Sequence, residues 1–204
     1  MRTLLLKSLF ARSATIGPPA ASEDALVEVG HALEQRVRRL FGRSIAIREV
    51  DAGSCNGCEL EIHALNNAVY DVERFGIRFV ASPRHADVLL VTGPVTHNMK
   101  IALERTYAAT PDPKWVVAVG DCAAGCGVFE GSYAVVGAIE KVVPVDLHIR
   151  GCPPRPIELL RGLIALMDKA AMRALSARKC APSATTTRSL PSARGRYGAT
   201  RKPK

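Results

Sequence analysis

The chain has 204 residues, 48% of them hydrophobic and 5% aromatic, with 28 Lys and Arg against 19 Asp and Glu for a formal charge of +9. That length suits one domain with a sizeable core plus terminal extensions, and no apolar run reaches the ~18 residues of a membrane-spanning helix. The charge is uneven: ten of the Lys and Arg lie between Lys169 and Lys204, where no acid occurs, so the rest of the chain is close to neutral and nothing in it calls for a nucleic-acid partner.

In chain order, residues 1–17, MRTLLLKSLFARSATIG, are basic and free of acids. A transit peptide has this composition, and so does an arm docking into a larger complex, which is the favoured reading. Ala25, Leu26, Val29, Leu33, Val37 and Leu40 recur at helical spacing and predict a helix over 23–41, with Ser22 as its cap. The Arg38-Arg39 pair has the form of a twin-arginine signal, but no long apolar segment follows, which excludes it. A first strand is expected at 45–50 (IAIREV), a small-residue loop at 51–57 and a helix over 59–72 with its acids at the start. A short strand follows at 78–81, then a buried strand of the parallel type at 88–92, stopped by Gly93-Pro94. Thr96 opens a helix to about Tyr107, and 115–119 is another buried strand. A glycine-rich loop spans 120–131, a short helix is expected at 133–139, a last strand at 145–149 and a final helix at 157–174. Residues 176–204 are rich in Ser, Thr, Pro and Arg and read as a disordered basic tail. Tyr197 is the tail's sole aromatic, so it offers no stacking platform for nucleic acid.

Strands that alternate with helices imply an α/β domain over 23–175, an open, mostly parallel sheet with helices on both faces, between the 1–22 arm and the 176–204 tail. Sites in such sheets form outside the carboxyl ends of the strands. Four segments fall there: 53–58, 92–96, 120–126 and 151–154.

Those segments hold the chemistry. GSCNGC carries Cys55 and Cys58 as a C-x-x-C pair, GDCAAGC carries Cys122 and Cys126, and RGCPPRP carries Cys152. Six cysteines without a secretory signal argue for a reducing compartment and for metal or catalytic use. A 4Fe–4S cluster takes four ligands, usually thiolates, and Cys55, Cys58, Cys122 and Cys152 supply them from three strand ends, with Cys126 competing for the place of Cys122. The plainer fate of a free cysteine, a small buried hydrophobe, suits Cys126 and Cys180 better than the others. A four-cysteine zinc site in an interaction module is the chemical rival, although structural zinc usually draws on two close pairs. Glu59 and Glu61 flank the C-x-x-C loop as candidate proton relays or anchors for a partner's arginine. Asp51 and Asp121 precede ligand loops and suit turn hydrogen bonding. Arg155 lies close behind Cys152. His63, His85, His97 and His148 show no ligand spacing.

GSCNGCELEI (53–62), ERFGIRFVASPRHADVLLVTGPVT (73–96) and GDCAAGCGVFEGSYAVVGAIEKVVPVDLHIRGCPPRP (120–156), in that order, resemble the small subunit of membrane-bound, energy-converting nickel–iron hydrogenases of the formate hydrogenlyase and hydrogenase-4 kind. The same family includes the 20-kDa subunit of complex I, NADH–quinone oxidoreductase. The resemblance implies a flavodoxin-like fold with one 4Fe–4S cluster on Cys55, Cys58, Cys122 and Cys152. It also implies a subunit that is not catalytic alone. Its partners would be a nickel–iron large subunit or its complex I homologue, a ferredoxin-like iron–sulfur subunit and integral membrane subunits. The place would be peripheral, on the cytoplasmic face of the inner membrane. In the complex I branch the two cysteines of the first motif are adjacent; the C-x-x-C spacing here favours the hydrogenase branch over transfer to quinone.

Overall fold

A computed structural model describes residues 23–180; the expectations for the 1–22 arm, the Ser22 cap and the chain from 181 onward lie outside the described residues. Five strands form one parallel sheet: β1 (Ile45–Asp51), β2 (Ile77–Phe79), β3 (Val88–Thr92), β5 (Trp115–Val119) and β7 (Leu147–Ile149), in spatial order β2-β1-β3-β5-β7. Counting these five alone, the order is 2-1-3-4-5, the flavodoxin-like doubly wound arrangement, whose direction of travel reverses between its first and third strands. Two further segments, β4 (Val95–Thr96) and β6 (Val135–Gly137), pair antiparallel beside it.

The apolar runs explain the layering. All five residues of β3, VLLVT, are buried, as a central strand covered on both faces requires. Side chains alternate between two cores. Ile45, Ile47, Val88, Leu90, Val117 and Val119 face α1 (Glu23–Phe41), α2 (Gly57–Ala64) and the final helix α5 (Pro156–Cys180). Leu89, Val91, Val116 and Ala118 face α3 (His97–Ala109) and the one-turn α4 (Asp121–Gly125). At the strands' amino ends, Asp87 ties the sheet together. Its carboxylate accepts from both guanidinium amines of Arg43, at 2.9 and 2.6 Å, and from the Ala46 N–H at 2.9 Å. This leaves the carboxyl ends free for loops.

The strands expected at 78–81 and 145–149 form over Ile77–Phe79 and Leu147–Ile149, the helix expected from Thr96 to about Tyr107 spans His97–Ala109, and four expectations change further. The helix predicted over 59–72 stops at Ala64, because Leu65, Asn66 and Asn67 bond three residues back and the Asn67 side chain then accepts from Val69 and Tyr70 N–H groups, which turns the chain. The predicted helix at 133–139 is strand β6: Val135 and Val136 are β-branched, and the segment finds an antiparallel partner in Val95 and Thr96. The loop at 120–131 contains α4 and a 3₁₀ turn at Gly127–Phe129. The final helix starts one residue earlier than predicted and runs to Cys180. The strands at 45–50, 88–92 and 115–119 stand where the pattern placed them, the first extended to Asp51.

Leu90 is 1% exposed at the centre of the sheet. Truncating it to alanine is expected to cost about 2–5 kcal/mol through lost burial and the cavity left behind. Urea unfolding should show the midpoint falling with the slope unchanged.

Candidate metal centre

Four loops leave the carboxyl ends of β1, β3, β5 and β7 and close on one another. At the end of β1, Asp51 Oδ1 accepts from the Gly53 and Ser54 N–H groups at 2.7 and 2.8 Å, which turns the chain out of the sheet. Asn56 adopts a left-handed conformation (φ 70°) between Cys55 and Gly57, so the C-x-x-C pair bends into α2. Ser54 Oγ accepts from the Asn56 N–H at 3.0 Å and donates to Glu59 Oε1 at 2.6 Å. The β3 loop packs flush against this turn: a Cβ on Gly93 would lie 2.6 Å from Ser54 Cα. The β5 loop approaches as closely. Gly120 has φ +90°, and a Cβ there would lie 2.6 Å from Cys58 Sγ, so both its backbone and its surroundings demand glycine. The β7 loop joins through Gly120 N–H to Ile149 O at 2.8 Å and Asp121 N–H to Gly151 O at 2.9 Å.

Between these loops lies a cavity of about 110 Å³, lined by Cys55, Cys58, Cys122 and Cys152 together with Ser54, Gly57, Gly93, Asp121, Gly151 and Pro153. Cys126 is buried but does not line it; it closes α4 in a left-handed conformation (φ 63°) and donates its N–H to Cys122 O at 2.9 Å. Cys55 and Cys152 are exposed, Cys58 and Cys122 half-buried. Burial, followed by the negative charges of Glu59 and the other three cysteines, pushes the Cys58 thiol up to about 12. Burial and the neighbouring Cys152 raise Cys122 as well, partly opposed by the Val128 N–H that hydrogen-bonds it. Among the described residues no three His, Cys, Asp or Glu side chains stand close enough to hold a single metal ion. The four thiols surround a space instead.

The acids beside the loop separate. Glu59 is 5% exposed, and its Oε2 has no hydrogen-bond partner among the described residues. Glu61 is half-buried on α2, and neither glutamate lines the cavity. The sequence reading missed Glu49, whose Oε2 lies 3.4 Å from His63 Nε2 and whose Oε1 is buried without a partner among the described residues. Its signal was a charged residue on the same face of β1 as Ile45 and Ile47, where the period-2 pattern calls for an apolar one. Burial, first, and the charge of Glu59 raise the Glu49 carboxyl above its usual range, while His63 opposes. Arg155 is exposed, donating its N–H to Glu158 Oε2 at 2.9 Å at the start of α5, and is not a lining residue. His148 meets Glu140 at 2.6 Å. None of the four histidines lines the cavity.

A flavodoxin-like sheet thus gathers four cysteines at its strand ends, and its relatives are subunits of oxidoreductase complexes. Residues 55–166 match the family described as NADH ubiquinone oxidoreductase, 20 Kd subunit, and the chain belongs to that family. It is similar to the probable membrane-bound hydrogenase subunit mbhJ of Pyrococcus furiosus, 46% identical over 142 residues that span 68% of this chain and 85% of the relative. It is also similar to formate hydrogenlyase subunit 7 of Escherichia coli, 42% identical over 71% of this chain and 55% of the relative. An NADH-quinone oxidoreductase subunit of Citrifermentans bemidjiense is 49% identical over 56% of this chain and 66% of the relative. Among solved structures, a chain of the membrane-bound sulfane sulfur reductase, an archaeal respiratory membrane complex, superposes with a TM-score of 0.57 at 36% identity, covering 68% of this chain and 75% of that one.

A carboxyl raised in the folded state binds its proton more tightly there than in the unfolded chain, so its contribution to stability falls as pH rises through its folded value. Glu49→Gln is therefore expected to raise the melting temperature at pH 7, with the gain shrinking as pH falls toward the ordinary value of 4.5. Scanning calorimetry across that range checks both the sign and the trend.

Proposed function

We propose that this chain is the electron-transfer subunit of a membrane-attached oxidoreductase complex, holding one 4Fe–4S cluster on Cys55, Cys58, Cys122 and Cys152 beside the active site of a larger partner subunit. The observation that carries this reading is the convergence of four thiols, from three separate strand ends, on one cavity within the segment that matches the family. The residues fit the group. Four thiolates are the usual ligand set of such a cluster, and all four cysteines line one cavity. Glycine at 120 keeps a Cβ atom out of the way of Cys58. When bound, the cluster supplies one-electron transfer at a potential set by its net charge, hydrogen bonds and exposure.

The chain's own residues hold and shield that centre. The Val128 N–H stabilises negative charge on Cys122, and the C-x-x-C turn is locked by Asp51 and Ser54. Cys55 and Cys152 are exposed, and Leu60 (60% exposed) and Val128 (86% exposed) leave apolar surface on the segments that follow Cys58 and Cys122. A partner that covers this side excludes water from the site.

The relatives' names include hydrogenase, formate hydrogenlyase, quinone oxidoreductase and sulfane sulfur reductase complexes. The terminal reaction thus belongs to the partner, and the C-x-x-C spacing supports a nickel–iron hydrogenase-type large subunit. A ferredoxin-like iron–sulfur chain would exchange electrons with it, and integral membrane chains would anchor the assembly. No described helix is long and apolar enough to cross a membrane, which agrees with peripheral attachment, on the cytoplasmic side by the resemblance. A second reading, transfer to quinone, is favoured by the 49% identity to the quinone oxidoreductase relative. Hydrogen evolution from a reduced low-potential dye by the purified complex separates the two.

Anaerobic purification of the full chain with its bound partners, followed by iron and zinc analysis, tests the cluster. Serine at any one of positions 55, 58, 122 or 152 is expected to abolish or strongly reduce the intact cluster's signal in reduced-state paramagnetic resonance, while Cys126→Ser retains it. One zinc and no iron at this site would overturn the proposal in favour of a zinc-stabilised interaction module.

A further inference from the structure

Asp121, a side chain on the cavity wall, hydrogen-bonds from the β5 cysteine loop to the β7 cysteine loop. Its backbone N–H donates to Gly151 O at 2.9 Å, and the Gly151 N–H donates back to Asp121 Oδ1 at 3.3 Å. Each partner of this reciprocal pair is one residue before a cysteine: Asp121 precedes Cys122, and Gly151 precedes Cys152. The β5 and β7 ligand loops are thereby clasped at the cavity wall. Asp51, the other acid ahead of a ligand loop, makes its side-chain bonds within its own loop and does not line the cavity.

The same carboxylate also brings charge. It is 44% exposed, with Arg150 Nη1 at 3.7 Å from Oδ1, so part of its field is screened and part is offset. What remains is a fixed negative group on the wall of a site whose occupant becomes more negative on reduction. Negative surroundings disfavour reduction, and hydrogen bonding, net charge and exposure are the means by which a protein sets a cluster's potential.

We propose that Asp121 is a positioning residue that clamps the Cys122 loop to the Cys152 loop and, by its charge on the cavity wall, lowers the reduction potential of the bound cluster. This rests on the cavity's being the cluster site proposed above. The two roles come apart by substitution: Asp121→Asn keeps an Oδ1 acceptor and removes the charge, whereas Asp121→Ala removes both.

The test is a redox titration followed by paramagnetic resonance on the full chain, purified anaerobically with its bound partners, alongside iron release to a chelator. Asp121→Asn should favour the reduced cluster by about threefold at a fixed potential, the scale of a partly exposed charge, with wild-type line shape and iron retention. Asp121→Ala should shift the titration in the same direction, broaden the spectrum and release iron several times faster. Asp112→Asn, an exposed carboxylate near the amino end of β5, controls for loss of charge anywhere on the surface and should leave all three readouts unmoved. A titration of Asp121→Asn that superposes on wild type overturns the electrostatic role, and wild-type spectrum and iron release in Asp121→Ala overturn the clamp. In either event an intact wild-type cluster leaves the function standing; a wild-type site without iron overturns both.

Discussion

Four thiols crowded on one small cavity repel one another as soon as they begin to ionise, and the sheet exists in the form it does because it can hold them there regardless. Cys58 carries the mark of that crowding most clearly, its thiol pushed up to about 12 by burial and by its acidic neighbours. A flexible chain would relieve the repulsion by moving apart. Here each cysteine loop is anchored to a strand whose partners are fixed by a continuous parallel ladder, and the ladder is buried on both faces. Cohesion comes from the two apolar cores, and the site draws on it. Asp87 and Arg43 brace the amino ends, far from the thiols, so the carboxyl ends are left to local turn chemistry.

That division explains what the sequence made legible. The buried strands announced themselves as short apolar runs, VLLVT and WVVAV, because a strand covered on both faces has no reason to alternate. Motif positions followed from strand ends, and Cys55, Cys58, Cys122 and Cys152 line the cavity there while Cys126 does not. Elements without a period were harder. Residues 133–139 look helical in isolation, and only pairing with Val95 and Thr96, in an earlier loop, makes a strand within them. The premature end of α2 depends on an asparagine side chain that competes with the backbone, which no count of apolar residues detects. Glu49 escaped for a related reason: its significance lies in facing Glu59 and His63 across from another element.

Cys126 shows how geometry sets apart two cysteines of one short loop. It is four residues from Cys122 and equally a cysteine, yet it ends α4 in a left-handed turn and lies outside the cavity lining. The following glycine makes the distinction firm, since a Cβ at Gly127 would lie 2.8 Å from Cys122 Sγ. A tight turn, and no feature of the thiol itself, keeps one sulfur at the cavity and the other within the protein. Relatives named for hydrogenase and for quinone-linked complexes both match this chain at 46–49% identity over more than half its length.

The exposure of the four cysteines is lopsided. Cys58 and Cys122 sit toward the body of the domain, and Cys55 and Cys152 open to its surface. The centre therefore has a back, formed by this chain's own core, and a front, which the chain does not cover. A neighbouring chain laid against that front would meet Cys55 and Cys152 before Cys58 and Cys122, and would touch the loops of two different strands, β1 and β7, at once.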